Sequence, residues 1–350
     1  MPITIRGNHF VKDGKRFVIR GVVYQPYRGS RFGSLNPEDF DPLLDDHIDE
    51  IHNDITLFRE LGINAIHVYR IVPSLAHDAA FAALAAAGIY VTLGLSHPSA
   101  GKCINRLRPR ESYTRELLDH YFETVDYASK YDNVIGVVAA DHVINNPDTT
   151  LTAEVIRAVV RDVKIHMKQQ YEKNGQRILP VGISDEYFAA KSTNSIDYFT
   201  AGNKDTSIDF YSFVKFDQVE ESSVYWQEDV HRFEGKGIPV IVSEYGGSSR
   251  RPREFHEAKS LYSSDALRVL SGGFAYEFKE GPNQYGLVMS DGQRLWDFDN
   301  LKRSLEEVKV PESEPDDVNE RCEIPSHDFP PVSDSWRASS DIPASLVFDT

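Results

Sequence analysis

The chain has 350 residues, of which 41% are hydrophobic and 26% are charged, so it can bury a large core. Its formal net charge of −16 argues against nucleic acid or an anionic membrane as the main partner. Since no apolar run is long enough to cross a bilayer, we predict no membrane span.

The N-terminal region has two arms of alternating apolar and polar residues, 4–11 and 16–24, on either side of Asp13-Gly14. Asp-Gly between such arms predicts a β-hairpin. We expect this hairpin to cover the bottom of a barrel, with its second arm continuing into the first barrel strand.

Helical patterns then alternate with short apolar runs that predict strands. The predicted helices are 41–61, 78–87, 113–131, 152–173, 224–233 and 255–269. The later predicted strands are 63–69, 89–95, one within 134–146, 178–183, 208–213, 239–246 and 274–278. Eight strands separated by helices predict an α/β fold, a single (β/α)8 TIM barrel over residues 1–307.

From about residue 308 the composition changes to proline, serine and acidic residues. We predict that 308–350 is an extended tail, partly disordered or docked on the barrel surface. Phe329, Trp336 and Val347-Phe348 are the apolar residues that could dock.

Two predicted strands end in ionisable residues, Asp141-His142 after the fourth and Ser243-Glu244 in the seventh. Ionisable residues at the carboxyl ends of barrel strands are typical of an active site. The alternative is two core strands whose ends are merely solvated.

An ordered set of short motifs, none specific by itself, resembles glycoside hydrolase family 72, the fungal β-1,3-glucanosyltransferases, over about residues 5–303. The resemblance implies that Glu244 is the catalytic nucleophile. In that family the fourth strand ends in Gly-Asn-Glu, and its glutamate is the acid/base. The matching residues here are Ala140, Asp141 and His142. The motifs are Tyr24-Gln25-Pro26, 61–64 with Val68-Tyr69, His77-Asp78, 87–91, 104–106, 180–182, 243–246, 271–273 and 285–288.

A retaining glycosidase needs two carboxyl groups roughly 5 Å apart, and one of them is replaced here. His142 can donate or accept a proton near neutral pH, but a neutral imidazole leaves no anion beside the sugar. Asp141 is a substitute acid that is shorter and one position away. The alternative is that His142 is a surface histidine, and Glu244 a carboxylate that only pairs with an arginine.

The resemblance also implies a substrate-binding shell at the barrel mouth. The family's residues are kept at Gln25, Tyr69 and Tyr276, and we include Tyr24 beside them. The matching residues differ at three further positions, where His67, Gly94 and Phe216 replace an arginine, an aspartate and a tyrosine. We expect Gly94 and Phe216 to widen and dry the mouth, and the lost polar contacts to weaken sugar binding.

We predict no cofactor and no metal. The sequence has no glycine-rich phosphate loop and no His-x-His or His-Glu-x-x-His spacing. His67, His97 and His142 follow three successive strands and could converge on a metal, but unrelated histidines are the preferred interpretation.

A cytoplasmic location is our expectation. The sequence lacks a secretory signal and any Asn-x-Ser/Thr sequon, and it has two cysteines, Cys103 and Cys322. The positions that match the family's cysteines hold Ile51, Ala80 and Gly247. The alternative is a secreted protein whose leader is missing from this sequence.

Three functional hypotheses follow. The preferred one is a repurposed intracellular enzyme that uses Glu244, His142 and Asp141 for acid–base chemistry on a small molecule, such as a cyclisation, isomerisation or elimination. The second is a β-1,3-glucanosyltransferase or glycosidase with an unconventional acid. The third is a non-catalytic carbohydrate-binding barrel. In each case a small molecule or oligosaccharide occupies the mouth, and the oligomeric state stays open.

Overall fold

A computed structural model describes residues 1–25, 41–186, 193–216, 225–248, 250–308 and 342–347. A three-stranded antiparallel sheet precedes a closed eight-stranded barrel. The sheet contains β1 (Thr4–Arg6), β2 (His9–Lys12) and β3 (Lys15–Phe17). The barrel contains β4 (Ile19–Val23), β5 (Ala65–Val68), β6 (Tyr90–Gly94), β7 (Val134–Asp141), β8 (Val181–Asp185), β9 (Phe210–Lys215), β10 (Val240–Tyr245) and β11 (Leu270–Ala275).

The barrel strands follow chain order, and β11 pairs with β4 to close the ring. Neighbouring strands are parallel throughout. The carboxyl ends of all eight strands therefore lie on one rim, which we call the mouth. The prediction of a (β/α)8 barrel is confirmed.

Helices cover the outside of the barrel. They are α1 (Ile48–Leu61), α2 (Asp78–Ala86), α3 (Pro109–Ser112), α4 (Arg115–Ala128), α5 (Thr152–Asn174), α6 (Thr193–Thr200), α7 (Gln227–Phe233), α8 (His256–Leu261), α9 (Ser264–Leu267) and α10 (Trp296–Glu306). None of the helices within the ranges described has the length and apolar character needed to cross a membrane.

Helix α1 illustrates how the sequence specifies an outer helix. Ile51, Ile55 and Phe58 recur at helical spacing and are all buried, so one face packs on the barrel. Gly62 ends the helix in the left-handed conformation, with φ of 69°. The predicted start at residue 41 was too early, because residues 45–47 form a short 3-10 turn before the helix.

The N-terminal sheet lies at the amino ends of the barrel strands, as predicted. Phe10 packs edge-on against Phe210 at 5.9 Å, and Phe17 against Tyr90 at 5.2 Å. Phe210 and Tyr90 are the first residues of β9 and β6. The sheet has three strands instead of a two-stranded hairpin, because the chain also turns at Gly7, where φ is 56°.

Strand β11 begins four residues earlier than predicted, at Leu270–Ala275. It contains the glycine pair 272–273, although glycine usually weakens strand interiors. In the structure, a Cβ on Gly272 would lie 2.0 Å from the carbonyl oxygen of Ile19. Glycine is therefore what allows β11 to approach β4 and close the barrel.

Two further differences concern helices. The predicted helix 255–269 is two short helices, α8 and α9, because the Ser263 side chain caps the second by accepting a hydrogen bond from Ala266 N. Helices α3, α6 and α10 were not predicted.

Residues 342–347 lie against α4 and α5. Arg161 donates to the carbonyl oxygen of Pro343 at 2.6 Å, and Ser345 donates to Asp162 at 2.7 Å. Leu346 and Val347 pack on the barrel core. The boundary between barrel and tail near residue 308 stays a prediction, and Phe329, Trp336 and Phe348 lie outside the described residues.

Candidate active site

Glu244 lies near the end of β10 and is 6% exposed. The register of β10 against β9 shifts between Val242 and Glu244, which places this carboxylate at the mouth. The hydroxyl of Tyr69, just after β5, donates a hydrogen bond to Glu244 Oε1. This hydrogen bond links the ends of β5 and β10, which are separated in the barrel by β4 and β11.

His142 follows β7 directly and has a left-handed backbone, with φ of 49°. The pairing of β7 with β8 shifts register before Asp141, so the strand end is bulged. The backbone N–H of His142 donates to Ser184 O at 2.8 Å, and Arg106 Nη2 donates to the carbonyl oxygen of His142 at 2.8 Å. These bonds fix the backbone from which the imidazole projects.

The imidazole of His142 lies among carboxylates. Its Nε2 is 3.5 Å from Asp141 Oδ1 and 3.8 Å from Glu244 Oε1, and its Nδ1 is 3.9 Å from Glu186 Oε1. These distances are too long for hydrogen bonds. Among the described residues, His142 Nε2 and Asp141 Oδ1 are buried without a hydrogen-bond partner. Both atoms are therefore available to a ligand in the mouth.

The protonation of this cluster is set by burial and mutual charge. Burial raises the pKa of Glu244 to about 7, against the lowering effect of His142 and of the Tyr69 hydrogen bond. Burial by itself lowers the pKa of His142, but Asp141, Glu244 and Glu186 raise it above its ordinary value. The imidazole and the carboxylates are close enough for the protonation of each to depend on that of the others, so the cluster titrates as a coupled set.

His67 is a second imidazole beside this cluster. It is 3% exposed, its Nδ1 is 2.8 Å from Thr92 Oγ1, and its ring packs edge-on against Tyr69. Burial lowers the pKa of His67 to about 4, although Asp141 opposes the shift. His67 is thus a buried, neutral imidazole beside the carboxylates and His142.

An aromatic cluster of Phe216, Tyr276 and Tyr285 stands at the ends of β9 and β11. The ring of Tyr276 lies 5.7 Å from that of Phe216 and 5.3 Å from that of Tyr285. Asn283 Nδ2 donates to the Tyr276 hydroxyl at 3.0 Å. Aromatic walls with few fixed polar groups are typical of ligand sites. Tyr285, the first residue of the 285–288 motif, belongs to this cluster.

Two expectations for the substrate shell were wrong. Tyr24 faces the helix layer, where its hydroxyl donates to Asp54 of α1 at 2.8 Å and its ring packs on Phe58, because alternation along β4 turns it away from the interior. Gly94 does not widen the mouth. A Cβ there would lie 2.1 Å from the Tyr69 carbonyl oxygen, so the space is already filled by backbone.

Gln25 is the next residue after Tyr24 and is 8% exposed. Its Oε1 is buried without a hydrogen-bond partner in the part of the chain that the structure describes. Pro26, the last residue of the Tyr24-Gln25-Pro26 motif, lies outside the described ranges.

Sequence reasoning missed Asp185 and Glu186, which end β8 and follow it. The rule that selected Asp141-His142 would have found them, but the predicted strand stopped at Ile183. Asp185 accepts hydrogen bonds from Ser195 and from Tyr211, the latter at 2.8 Å, and burial raises its pKa to about 6. Glu186 is the carboxylate on the Nδ1 side of His142.

The three histidines considered as metal ligands do not converge. His97 packs against His120, with ring centroids 6.1 Å apart, instead of facing His142. Within residues 1–25, 41–186, 193–216, 225–248, 250–308 and 342–347, no group of three or more His, Cys, Asp or Glu side chains could hold a metal ion.

A closed parallel barrel with a buried glutamate at the end of its seventh strand and ionisable residues after its fourth has the architecture of barrel glycoside hydrolases. The sequence profile of glycoside hydrolase family 72, described as glucanosyltransferase, matches residues 1–309. The chain belongs to this family.

Curated relatives agree with this assignment. The chain is 37% identical over 316 residues to 1,3-beta-glucanosyltransferase gel1 of Aspergillus fumigatus, covering 89% of this chain and 66% of that protein. It is 35% identical over 320 residues to 1,3-beta-glucanosyltransferase GAS5 of Saccharomyces cerevisiae, covering 89% and 63%. The chain thus spans slightly less than two thirds of the length of these relatives.

Solved structures of Saccharomyces cerevisiae Gas2p share the fold. The apo structure superposes with a TM-score of 0.87 at 30% identity, covering 98% of this chain and 72% of that one. A complex of Gas2p with laminaritetraose and laminaripentaose superposes with a TM-score of 0.83 at 30% identity, covering 98% and 74%.

Proposed function

We propose that this chain transfers β-1,3-glucan segments, with Glu244 as nucleophile and His142, assisted by Asp141, in place of the carboxylic acid/base. The observation that carries the proposal is the position of His142 Nε2, 3.8 Å from Glu244 Oε1 at the barrel mouth. Family membership and the laminari-oligosaccharides bound by Gas2p support glucan as the substrate.

The first step forms a glycosyl ester. The Glu244 carboxylate attacks the anomeric carbon, and the glycosidic C–O bond breaks. The His142 imidazolium gives its Nε2 proton to the departing sugar oxygen. Tyr69 holds the nucleophile through its hydrogen bond to Oε1.

The second step returns the site to its starting state. A hydroxyl of the acceptor glucan attacks the anomeric carbon, and neutral His142 takes the proton of that hydroxyl. The ester bond breaks, and Glu244 leaves as a carboxylate. Glu244 is then ionised and His142 protonated again, as the first step requires. The raised pKa of His142 extends its protonated form to higher pH, whereas the raised pKa of Glu244, about 7, moves ionisation of the nucleophile up towards neutral pH.

The shell residues take supporting roles in this proposal. Gln25 and Asp141 present unbonded oxygens to sugar hydroxyls, and His67 contributes a neutral nitrogen. Phe216 and Tyr276 form the aromatic wall against which sugar rings lie.

A second candidate is acid–base chemistry on a small molecule by the same residues. What favours it is the replacement of a carboxylic acid by His142, flanked by a glutamate whose pKa is about 7. The comparisons with known proteins lend it less support than they lend glucan transfer. A cytoplasmic location likewise stays a prediction.

The test is incubation of the purified chain with a reduced laminari-oligosaccharide, with product lengths followed by mass spectrometry. We expect products longer than the substrate, and we expect Glu244→Gln and His142→Ala to abolish them. His52→Ala, which changes an exposed histidine on α1, is the matched control and should leave the products unchanged. Unchanged oligosaccharide lengths with the original chain would overturn the proposal.

A triple substitution separates the two candidates. Ala140→Gly, Asp141→Asn and His142→Glu together restore the Gly-Asn-Glu sequence that the resemblance places at the end of the fourth strand. Under glucan transfer, the triple variant should make elongated products faster than the original chain. A triple variant that makes none, beside an original chain that makes none, favours the small-molecule candidate.

A further inference from the structure

Three carboxylates surround the imidazole of His142, but they do not face the same nitrogen. Asp141 and Glu244 both lie on the Nε2 side, at 3.5 and 3.8 Å. Glu186 lies on the Nδ1 side, at 3.9 Å. Glu186 therefore lies beside Nδ1, away from the reacting side of the ring. Asp141 and Glu244 lie beside Nε2, where the proposed function places the glycosidic bond.

The backbone of His142 is fixed, so the direction of its ring is set by side-chain torsions. Hydrogen bonds to Ser184 and from Arg106 hold the backbone on both sides of the residue. The ring Nε2 has no hydrogen-bond partner in the described residues. A group that bonds Nδ1 would decide both the tautomer and the direction in which Nε2 points.

We propose that Glu186 is a positioning residue that accepts a hydrogen bond from Nδ1–H of His142 and thereby presents Nε2–H to the glycosidic oxygen. The proposal rests on the proposed function, because it assigns the orientation of the residue that takes the acid role there. A catalytic base whose ring is oriented by a third group is a recurrent arrangement. The present distance of 3.9 Å is longer than a hydrogen bond, and catalytic hydrogen bonds are often long in structures without ligand and shorten when substrate binds.

The neighbouring carboxylates are less suited to this role. Asp185 is 1% exposed and already accepts hydrogen bonds from Ser195 and Tyr211. Asp141 lies on the same side of the ring as Glu244. Glu186, whose side chain is 39% exposed, is the carboxylate that can reach Nδ1 without giving up a buried bond.

Four carboxylates act on the charge of His142, and each of them favours the protonated imidazole. They are those of Asp141, Asp185, Glu186 and Glu244. His67 faces the same cluster but stays neutral over the working range, because burial lowers its pKa to about 4. Removing the charge of Glu186 removes one of these four contributions together with the acceptor for Nδ1.

The experiment compares Glu186→Gln with Asp185→Asn, which removes one negative charge from the adjacent position and keeps a hydrogen-bond acceptor. Chemical shifts of the ring nitrogens of His142 are followed by NMR against pH in each variant without ligand. We expect Glu186→Gln to lower the pKa of His142 and to alter its tautomer ratio, and Asp185→Asn to leave the tautomer ratio unchanged. A tautomer ratio that Glu186→Gln leaves unchanged would overturn the proposal.

Kinetics supplies the second measurement. With laminari-oligosaccharide, Glu186→Gln should lower kcat by about tenfold or more with little change in KM, and the alkaline limb of the pH profile should move to lower pH. Equal loss of kcat in Asp185→Asn would also overturn the proposal. Absence of transfer by the original chain overturns the proposed function, whereas the NMR titration still decides the role of Glu186.

Discussion

Replacing Glu244 by glutamine should make the protein more stable above neutral pH while removing the proposed nucleophile. Glu244 is 6% exposed, and burial raises its pKa from 4.5 to about 7. The folded protein therefore keeps a proton on this carboxyl at pH values where the unfolded chain has released it. Since one pKa unit corresponds to about 1.4 kcal/mol, full ionisation lowers the free energy of unfolding by at most about 3 kcal/mol.

The sign follows from the raised pKa. The stability contributed by the protonated carboxyl is complete below pH 4.5 and is lost as the pH rises through about 7. Glutamine has nearly the same shape, accepts the hydrogen bond from Tyr69 and carries no charge. The variant should therefore unfold close to the original chain at about pH 5 and at a higher temperature at about pH 8.5.

The assay is a series of thermal unfolding curves at closely spaced pH values for both proteins. Glu172→Gln, which removes the charge of an exposed glutamate on α5, is the control, and its difference from the original chain should not grow between pH 5 and 8.5. A Glu244→Gln variant that melts below the original chain at high pH would refute the reasoning. So would a difference that does not depend on pH.

Three further outcomes are expected. Tyr69→Phe removes a hydrogen bond that lowers the pKa of Glu244, so the acid limb of the transfer pH–rate profile should move to higher pH. Gly94→Ala places a Cβ 2.1 Å from the Tyr69 carbonyl oxygen and should cost about 1–3 kcal/mol or more in thermal unfolding. Arg161→Ala removes a hydrogen bond of 2.6 Å to the backbone of residues 342–347, whose amides should then exchange hydrogen faster.

Each of these outcomes has a result that would contradict it. An unmoved acid limb would mean that Tyr69 does not stabilise the ionised carboxylate. For Gly94→Ala, the comparison is the original chain. An unfolding temperature equal to that of the original chain would mean that β6 can shift away from Tyr69. Unchanged exchange in Arg161→Ala would mean that the segment is held by its apolar residues.

The barrel could be predicted from sequence because buried strands read as continuous apolar runs. The run in β7 and that in β10 each end in ionisable residues, and the closed parallel sheet brings those ends to one rim. The meeting of His142 and Glu244 therefore follows from strand order alone. The need for glycine at positions 272 and 94 could not be predicted from the sequence, because the backbone atoms that leave no room for a side chain belong to Ile19 and Tyr69, in other parts of the chain.

The side to which a residue faces was harder to predict than the strand that carries it. Tyr24 and Gln25 are adjacent, yet Tyr24 packs under α1 and Gln25 follows on the other side of the strand. A shift of one residue in the assumed phase of β4 exchanges the two roles. The bulge before Asp141 likewise changes the side to which the residues at the end of β7 face. No glycine, proline or other turn residue lies at this point of the sequence to indicate the bulge.

The left-handed backbone at His142 has a consequence for how this position can change. With φ of 49°, a β-branched residue is strongly disfavoured, whereas His, Asn and Asp are the non-glycine residues most often found in this conformation. The hydrogen bonds to Ser184 and from Arg106 are made by backbone atoms of residue 142, so they do not use the imidazole. The backbone at the end of β7 is therefore held independently of the imidazole. The group that carries the proton at position 142 can be replaced by mutation while the fold around it stays the same.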